Sequence, residues 1–391
     1  MTAQLNNYIT ASQGRVGSTK DCTPAQINGL IAKANSVLTK DTTYTWDANI
    51  NGIIVRLITN SRHQYDFWVQ NWWPGPNNDS VLPHATIYSV MGIPNEPVHA
   101  YYCPSLYTAV FANTEYYGQC KSWALGMAAH ILEQKFNVHS IHGACADVDG
   151  KGVVVIAPTG TGKTTQVNKL FQHSRGRVVG DDWIYIKHPQ NIEGIKEPIL
   201  EVTQPEKSLY VRTENAHEEP WLRSVFDRCL LENVTTDPKE CMHKPGEKCQ
   251  IKDLGENKCY WGFGNSRAML PREWMAGPAK VGDKTTMKLM VLLRRDNESP
   301  AEVSLNIDEA IAILKEGKTL IRPGAGPKEK WGTYGYEPWY NPYLLVPDHE
   351  RQEKFFRDEM RSARVVIINT GAPGETIERT YQRIMANLEK A

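Results

Sequence analysis

The segment 153–165, VVVIAPTGTGKTT, constrains the fold of this chain more than any other. Its β-branched run is typical of a buried strand, and the Lys-Thr pair after the turn can begin a helix. Gly160 and Gly162 let the backbone curl until consecutive N–H groups face one anion, beside the positive end of that helix. The order of strand, glycine-rich loop and helix therefore predicts an α/β domain that binds phosphate.

The same segment predicts how a nucleoside triphosphate is held. Lys163 would neutralise charge on the β and γ phosphates, and the hydroxyl of Thr164 would help to hold Mg²⁺. Ala157 stands where the strict form of the motif has its first glycine. We expect the loop and the first helical turn to bind ATP through Thr159, Gly160, Thr161, Gly162, Lys163, Thr164 and Thr165.

Length and charge exclude several other classes of protein. A chain of 391 residues is long for one domain, so we expect two. Lysine plus arginine equals aspartate plus glutamate at 44 each, which argues against nucleic acid or an anionic membrane as a partner. No apolar run has transmembrane length, and the first residues do not have the pattern of a signal peptide, so we expect a cytoplasmic protein.

Hydrophobic periodicity divides the chain into two predicted domains. Residues 1–140 form a smaller α/β lobe, and residues 141–391 form a nucleotide-binding domain with a polar insertion at about 236–260. The predicted helices are 121–134, 164–173, 348–361 and 376–389. The predicted strands include 53–58, 177–180, 287–293 and 364–369.

Four cysteines fall in or near the insertion: Cys229, Cys241, Cys249 and Cys259. His243 lies among them, but there is no C-x-x-C pair and the spacing matches no common zinc module. A structural metal or a local disulfide therefore stays open, and unpaired thiols are the favoured interpretation.

Residues on either side of the glycine-rich loop narrow the class of phosphate-binding protein. His142 comes just before the strand, and Asp181 and Asp182 come soon after the helix. In Ras-like and motor NTPases the acidic metal-binding residue lies farther along the chain. This arrangement resembles the superfamily of phosphoenolpyruvate carboxykinase and HPr kinase.

The longer resemblance is to the ATP-dependent carboxykinases. The segments similar to family motifs follow one another in the family's order: 55–59 with His63 and Asn71, 114–121, 160–165, 179–182, 209–213, 230–234, 264–267 with Pro271, and 369–371 with Thr380. The resemblance implies a two-lobed phosphoenolpyruvate carboxykinase-like fold, whose nucleotide domain is a mixed β-sheet flanked by helices.

The resemblance also implies roles for individual residues. Asp182 would bind the divalent metal, and Asp181 would orient a metal-bound water or act as the base. His142 would be a metal ligand or contact the acceptor, and Arg267 would stabilise charge on the transferred phosphoryl group or on a carboxylate. The remaining implied contacts are Thr380 near the adenine, and Tyr116 and Lys121 on the acceptor side. A packing role for Tyr116 stays equally open.

The chain departs from the carboxykinases mainly on the acceptor side. The family has two consecutive lysines, the second a metal ligand, where this chain has Lys121 and Ser122. A serine hydroxyl suits Mg²⁺ better than Mn²⁺. Arg212 stands at the lysine of the family's C-Y-A-K stretch, and the oxaloacetate-binding loop has only a faint counterpart at 14–21. The nucleotide side is thus better preserved than the carboxylate side.

These features predict an ATP- and Mg²⁺-dependent kinase, with Mn²⁺ as a possible substitute, that acts on a small nucleophilic acceptor. Three alternatives stay open: a true ATP-dependent phosphoenolpyruvate carboxykinase, a protein serine kinase of the HPr kinase type, and a non-catalytic ATP-binding module. A small-molecule acceptor is favoured over a protein. Nucleic acid and membrane partners are not expected.

Overall fold

The computed structural model describes residues 7–11, 14–76, 81–158, 161–189, 199–213, 215–218, 221–234, 266–321, 328–330 and 332–391. Within these ranges the chain is α/β with mixed sheets, as its sequence predicts. Several predicted features lie outside the described residues: Thr159, Gly160, the insertion at 236–260, Cys241, His243, Cys249 and Cys259. No helix in the described ranges is long and apolar enough to cross a membrane.

In chain order the strands are β1 Asn7–Tyr8, β2 Gly17–Thr19, β3 Tyr44–Ile50, β4 Ile53–Thr59, β5 Trp73–Pro74, β6 Ala85–Val90, β7 His99–Cys103, β8 Thr108–Ala112, β9 Val138–Ile141, β10 Gly143–Val148, β11 Lys151–Ile156, β12 Gly176–Gly180, β13 Ile184–Lys187, β14 Glu201–Thr203, β15 Ser208–Arg212, β16 Leu230–Glu232, β17 Arg267–Pro271, β18 Lys284–Arg294, β19 Glu302–Ser304, β20 Lys318–Leu320, β21 Tyr334–Tyr336 and β22 Arg364–Asn369.

The α-helices of the described residues are α1 Pro24–Asn35, α2 Arg62–Asn71, α3 Tyr117–Lys135, α4 Lys163–Gln172, α5 Asn215–Glu218, α6 Leu222–Phe226, α7 Arg272–Ala276, α8 Ile307–Glu316, α9 His349–Met360 and α10 Ile377–Glu389. Short 3₁₀ turns occur at Pro104–Leu106, Pro278–Lys280, Lys328–Lys330 and Pro338–Tyr340.

The contacts divide the chain into two compact units. Unit 1 comprises Met1–Ala128 and Glu206–Met275, and unit 2 comprises Ala129–Pro205 and Ala276–Ala391. The boundary predicted from the sequence lies at residue 140 and assigns 206–275 to the second domain. The observed division differs there because β15, β16 and β17 pair with one another and with β1, near the start of the chain.

In the described part of unit 1, seven strands form a mixed sheet with the order β2-β7-β8-β6-β4-β3-β5. Helix α1 packs on it through Ile27, Leu30 and Ala34, whose spacing places them on one face of the helix. The helix begins at Thr23, which forms a capping box with Gln26. A second sheet of unit 1 has the order β1-β16-β17-β15.

The described residues of unit 2 form a nine-stranded mixed sheet, whose main path is β12-β10-β11-β18-β14-β13-β9. Strand β22 pairs in parallel with β18, and β19 continues the sheet beyond β22. Strand β11 lies between β10 and β18, and its residues Val154 and Ile156 are buried in a core cluster that also contains residues of α8. Strands β10 and β11 form a hairpin whose turn has Asp149 and Gly150 at φ values of 58° and 80°. Positive φ at both positions is the geometry of a type I′ turn.

Candidate functional site in unit 2

The sheet of unit 2 brings three separate parts of the sequence to one edge. Gly143 is opposite Ile156 in the β10–β11 ladder, and Cys145 is opposite Gly180 in the β10–β12 ladder. Both ladders are antiparallel, so the start of β10 adjoins the ends of β11 and β12. His142, Ala157 at the start of the glycine-rich loop (residues 157–162) and the pair Asp181-Asp182 therefore leave the sheet side by side.

The described part of the glycine-rich loop has the local structure that its sequence predicts. Gly162 has φ of +103° and immediately precedes α4, a conformation that glycine adopts at little cost. The hydroxyl of Thr161 donates to the carbonyl of Pro158 at 2.7 Å. Lys163 then begins the helix, and its side chain lies along the edge of the sheet that carries His142 and Asp182.

Three side chains meet at this edge. The Nζ atom of Lys163 lies 3.4 Å from His142 Nε2 and 3.5 Å from Asp182 Oδ1. His142 Nε2 and Asp182 Oδ1 are 3.3 Å apart. His142 and Lys163 are largely buried, whereas 44% of the Asp182 side chain is exposed. The site therefore presents one exposed carboxylate, backed by a buried cation and a buried imidazole.

The contact that Nδ1 of His142 makes decides which ring nitrogen carries the proton. Nδ1 lies 2.7 Å from the carbonyl oxygen of Tyr340, which can only accept, so Nδ1 carries the proton. Burial and, next, the charge of Lys163 lower the pKa of His142 below its ordinary value. The imidazole is thus neutral near pH 7, with its lone pair at Nε2 facing Lys163 and Asp182.

The backbone that supplies this carbonyl is strained. Trp339 and Tyr340 have φ of 62° and 51°, a left-handed conformation that costs a bulky residue about 1–2 kcal/mol. Trp339 is held there by stacking on Phe356 at 5.5 Å and by donating from Nε1 to His349 Nδ1 at 3.0 Å. Packing therefore maintains a carbonyl position that orients His142.

The spacing of these donor atoms fits the ligands of a divalent cation. Cis ligands of an octahedral Mg²⁺ at about 2.1 Å lie about 3 Å apart, close to the 3.3 Å between His142 Nε2 and Asp182 Oδ1. Asp181 follows the same strand end and is half-buried, as are Thr164 and Thr165 in the first turn of α4. These residues offer carboxylate and hydroxyl oxygens, the ligands that Mg²⁺ prefers.

A C-terminal segment also reaches the loop. The hydroxyl of Thr370, just after β22, donates to the carbonyl of Thr161 at 2.9 Å. Thr380 lies in α10 and is almost fully buried, with its hydroxyl donating to Glu375 Oε1 at 3.0 Å. That hydroxyl is bonded within the protein, and the place of Thr380 near an adenine stays a prediction. Sequence reasoning missed Thr370 as a loop contact, although it stood in the segment 369–371.

The predicted acceptor-side residues lie in unit 1, as does Arg267. Arg212 and Arg267 are directly opposite each other on β15 and β17. The guanidinium of Arg267 and the ammonium of Lys121 both face the ring of Tyr210, at 5.5 Å and 5.8 Å from its centroid. The Tyr210 hydroxyl donates to Glu232 Oε2. We call Lys121, Arg212, Arg267 and Tyr210 the basic cluster of unit 1.

Three side chains predicted for the acceptor side, Lys121, Tyr116 and Ser122, make contacts that the sequence did not show. Lys121 pairs with Glu206 at 3.1 Å, and both are about 95% buried. Tyr116 is buried against Gly118, where an added Cβ would lie 2.5 Å from the phenol oxygen. Ser122 donates its hydroxyl to the carbonyl of Gly118 at 2.6 Å, within α3.

Cys229 is a free thiol in unit 1 whose Sγ lies 3.4 Å from the carbonyl of Val225. Burial raises its pKa to about 12, so it stays protonated at neutral pH. The other cysteines within the described ranges are also free and buried: Cys22, Cys103, Cys120 and Cys145.

Comparison with known proteins assigns no family. The chain matches none of the protein-family models against which it was scanned. A search of curated proteins also finds no significant match.

Proposed function

We propose that this protein is an ATP- and Mg²⁺-dependent phosphotransferase with a phosphoenolpyruvate carboxykinase-like fold, acting on a small nucleophilic acceptor. The observation that carries the proposal is the meeting of Lys163, His142 and Asp182 at the end of β11, beside a glycine-rich loop. Phosphoryl transfer needs mainly positioning and neutralisation of charge, which these groups supply.

Each residue has a defined task in this proposal. Lys163 would bind the β and γ phosphates, and His142 and Asp182 would hold Mg²⁺, which would supply positive charge to the phosphate oxygens. Asp181 accepts the proton of the acceptor hydroxyl as the new O–P bond forms. The bond from the γ phosphorus to the bridging oxygen breaks, and ADP leaves with that oxygen.

The residues predicted for the acceptor side favour an anionic or polar small molecule as the phosphoryl acceptor. Lys121 and Arg267 face the ring of Tyr210, and Arg212 lies opposite Arg267. Because Lys121 is paired with Glu206, the two arginines would supply the charge for a carboxylate or phosphate. The Ser122 hydroxyl donates within its own helix, which supports neither a second metal ligand at this position nor the Mn²⁺ chemistry of the carboxykinases. We therefore favour a kinase over a carboxykinase.

The first experiment tests whether the protein binds nucleotide, by calorimetry with ATP and Mg²⁺. Lys163→Met should weaken ATP binding by about 10- to 100-fold, because a charge-assisted contact to phosphate is worth about 1.5–3 kcal/mol. Lys169→Met is the matched control on the same helix, since Lys169 is exposed and pairs with Glu378 at 3.4 Å. Equal affinity in both variants would contradict the assignment of the loop.

The second experiment tests transfer with ATP labelled at the γ phosphate. Transfer of the label to a small molecule by the wild-type protein, but not by the Asp181→Asn variant, would support a kinase. Conversion of oxaloacetate to phosphoenolpyruvate and CO₂ would establish the carboxykinase alternative. Label on serine of a protein would establish the HPr kinase alternative. If the protein binds ATP tightly but transfers no label to any of a broad set of candidate acceptors, the remaining interpretation is a non-catalytic ATP-binding module.

A further inference from the structure

A cluster of ionisable side chains is buried in unit 2 apart from the residues assigned above. His139 lies on β9, His188 directly follows β13, and Glu359 is near the end of α9. His139 and Glu359 have no exposed area, and His188 is 5% exposed. One ligand atom from each residue lies within 4.8 Å of the other two. Burying such groups is costly unless strong interactions compensate.

Rigid elements bring these side chains together. Strands β9 and β13 are antiparallel neighbours, with His139 opposite Ile186 and Val138 opposite Lys187, so His188 falls at the same end of the ladder. Glu359 Oε1 lies 2.7 Å from His139 Nδ1 and 3.0 Å from His188 Nε2. A single carboxylate oxygen thus faces two imidazole nitrogens.

The second carboxylate oxygen gives an independent indication of a ligand. Glu359 Oε2 is buried and has no hydrogen-bond partner. An unsatisfied buried oxygen of an ionised carboxylate is among the most expensive groups that a protein interior can hold. A cation bound between the carboxylate and the two imidazoles would satisfy it.

The surroundings orient His139 as a ligand. Its Nε2 lies 2.9 Å from Gln352 Oε1, and Gln352 Nε2 donates to Glu133 Oε2 at 2.9 Å. Because the amide oxygen accepts, Nε2 carries the proton and Nδ1 can ligate, the arrangement found around metal-bound histidines. Phe355 stacks on the imidazole at 4.9 Å and Phe356 packs edge-on at 4.6 Å, which fixes the ring plane.

We propose that four donor atoms, His139 Nδ1, His188 Nε2 and both carboxylate oxygens of Glu359, bind one structural Zn²⁺ that joins β9, β13 and α9. Two imidazoles with one carboxylate are a donor set of intermediate softness, which Zn²⁺ favours over Mg²⁺. Ligands at about 2.0–2.1 Å in a tetrahedral site lie about 3.3 Å apart, so the present contacts need to open by about half an ångström. When the metal is absent, protons on the imidazole nitrogens form hydrogen bonds to the Glu359 carboxylate at these contacts.

Metal analysis of the full chain tests this proposal. Protein purified from zinc-supplemented cells should retain about one Zn²⁺ per chain after dialysis, and Co²⁺ exchanged into the site should give tetrahedral visible absorption. His188→Gln should lose the metal, because it removes one ligand while leaving a polar group of similar size. His130→Gln, in the same unit but outside the cluster, is the control and should retain full occupancy.

Stability gives a readout that does not depend on catalysis. Removing Zn²⁺ with a strong chelator should lower the Tm of wild-type and of His130→Gln, and should leave that of His188→Gln unchanged. ATP binding measured with Mg²⁺ should survive in His188→Gln, which separates this site from the nucleotide site. Absence of bound zinc after supplementation, together with a Tm that neither Zn²⁺ nor the chelator changes, would overturn the proposal. The cluster would then be a hydrogen-bonded imidazole–carboxylate network.

Discussion

Thr370 donates its hydroxyl to the main-chain carbonyl of Thr161 at 2.9 Å, and so joins the end of β22 to the glycine-rich loop. The same hydroxyl lies 3.3 Å from the carbonyl of Arg294. Thr370→Val keeps the shape of the side chain but leaves the Thr161 carbonyl without this donor. We expect ATP affinity to fall about five-fold, since one neutral hydrogen bond is worth about 1 kcal/mol. Calorimetry with Mg²⁺ and ATP measures the change.

Thr370→Ser is the matched control for that substitution because it keeps the hydroxyl. It should bind ATP within about two-fold of wild-type. If Thr370→Val and Thr370→Ser bind ATP equally, the contact does not order the loop.

The buried pair Lys121–Glu206 should contribute strongly to the stability of unit 1. Lys121→Met should lower the free energy of unfolding by about 3 kcal/mol, because it leaves the Glu206 carboxylate buried without its ammonium partner. Asn71 Nδ2, at 2.9 Å from Glu206 Oε1, replaces only part of that interaction. Urea unfolding followed by tryptophan fluorescence measures the loss.

The double variant Lys121→Met/Glu206→Gln should recover much of the lost stability, because no unpaired charge then remains buried. A double variant as unstable as the sum of the two single ones would show that Lys121 and Glu206 are not energetically coupled.

Replacing each of two glycines by alanine should change the stability of the protein in opposite directions. Gly176 begins β12, and a Cβ there would lie 2.1 Å from the carbonyl oxygen of Leu170 in α4. Gly176→Ala should destabilise the protein by about 2 kcal/mol or more, because strand and helix backbones must separate. Gly29 lies within α1 with open space around its Cβ position. Gly29→Ala should stabilise the protein by about 0.5–1 kcal/mol through helix propensity. Thermal unfolding of both variants checks the signs.

Asp296 should provide an acid-sensitive anchor for the segment that carries Thr370. Burial by itself would raise the pKa of Asp296, but hydrogen bonds from the backbone N–H groups of Ser299 and Glu298 bring it below the ordinary value of 3.8. A depressed carboxyl pKa stabilises the fold above the unfolded-state value, and this contribution disappears as pH falls through the folded-state value. The stability difference between wild-type and Asp296→Asn should therefore be constant from pH 5 to 7 and shrink below about pH 4.

Asp149→Asn is the comparison for this pH series. Asp149 pairs with Arg175 at 2.5 Å, but both side chains are more than half exposed. Exposed pairs contribute little, so this variant should differ little from wild-type at every pH. A pH-independent difference for Asp296→Asn would mean that its carboxylate does not titrate abnormally.

Local patterns predicted most of the elements around the candidate site. The apolar run of β11, the helix after Gly162 and the strand 364–369 follow from periodicity and from glycine, because each depends on neighbouring residues. The meeting of His142, Lys163 and Asp182 was expected from a resemblance to known motifs, and the described structure places them within 3.5 Å.

Other features depend on residues far apart in the sequence, and no local pattern shows them. The pairs Lys121–Glu206 and His139–Glu359 form only after distant segments of the chain have packed together. The return of 206–275 to unit 1 has the same origin, since its strands pair with β1. Single histidines and glutamates carry no sequence signal for such partners, because their burial is decided by tertiary packing.

The type I′ hairpin of β10 and β11 has a consequence for how the protein is made. Residues 142–182 contain His142, the glycine-rich loop, α4 and both aspartates, and they are joined by contacts that are short in sequence. Closing short loops costs less entropy than closing long ones, so this segment can pair before β18 leaves the ribosome. The basic cluster of unit 1 must wait until Arg212 and Arg267 have been synthesised to join Lys121. The hairpin and α4 can therefore form early, whereas the carbonyl of Tyr340 and the hydroxyl of Thr370 reach His142 and Thr161 only after the end of the chain has been made.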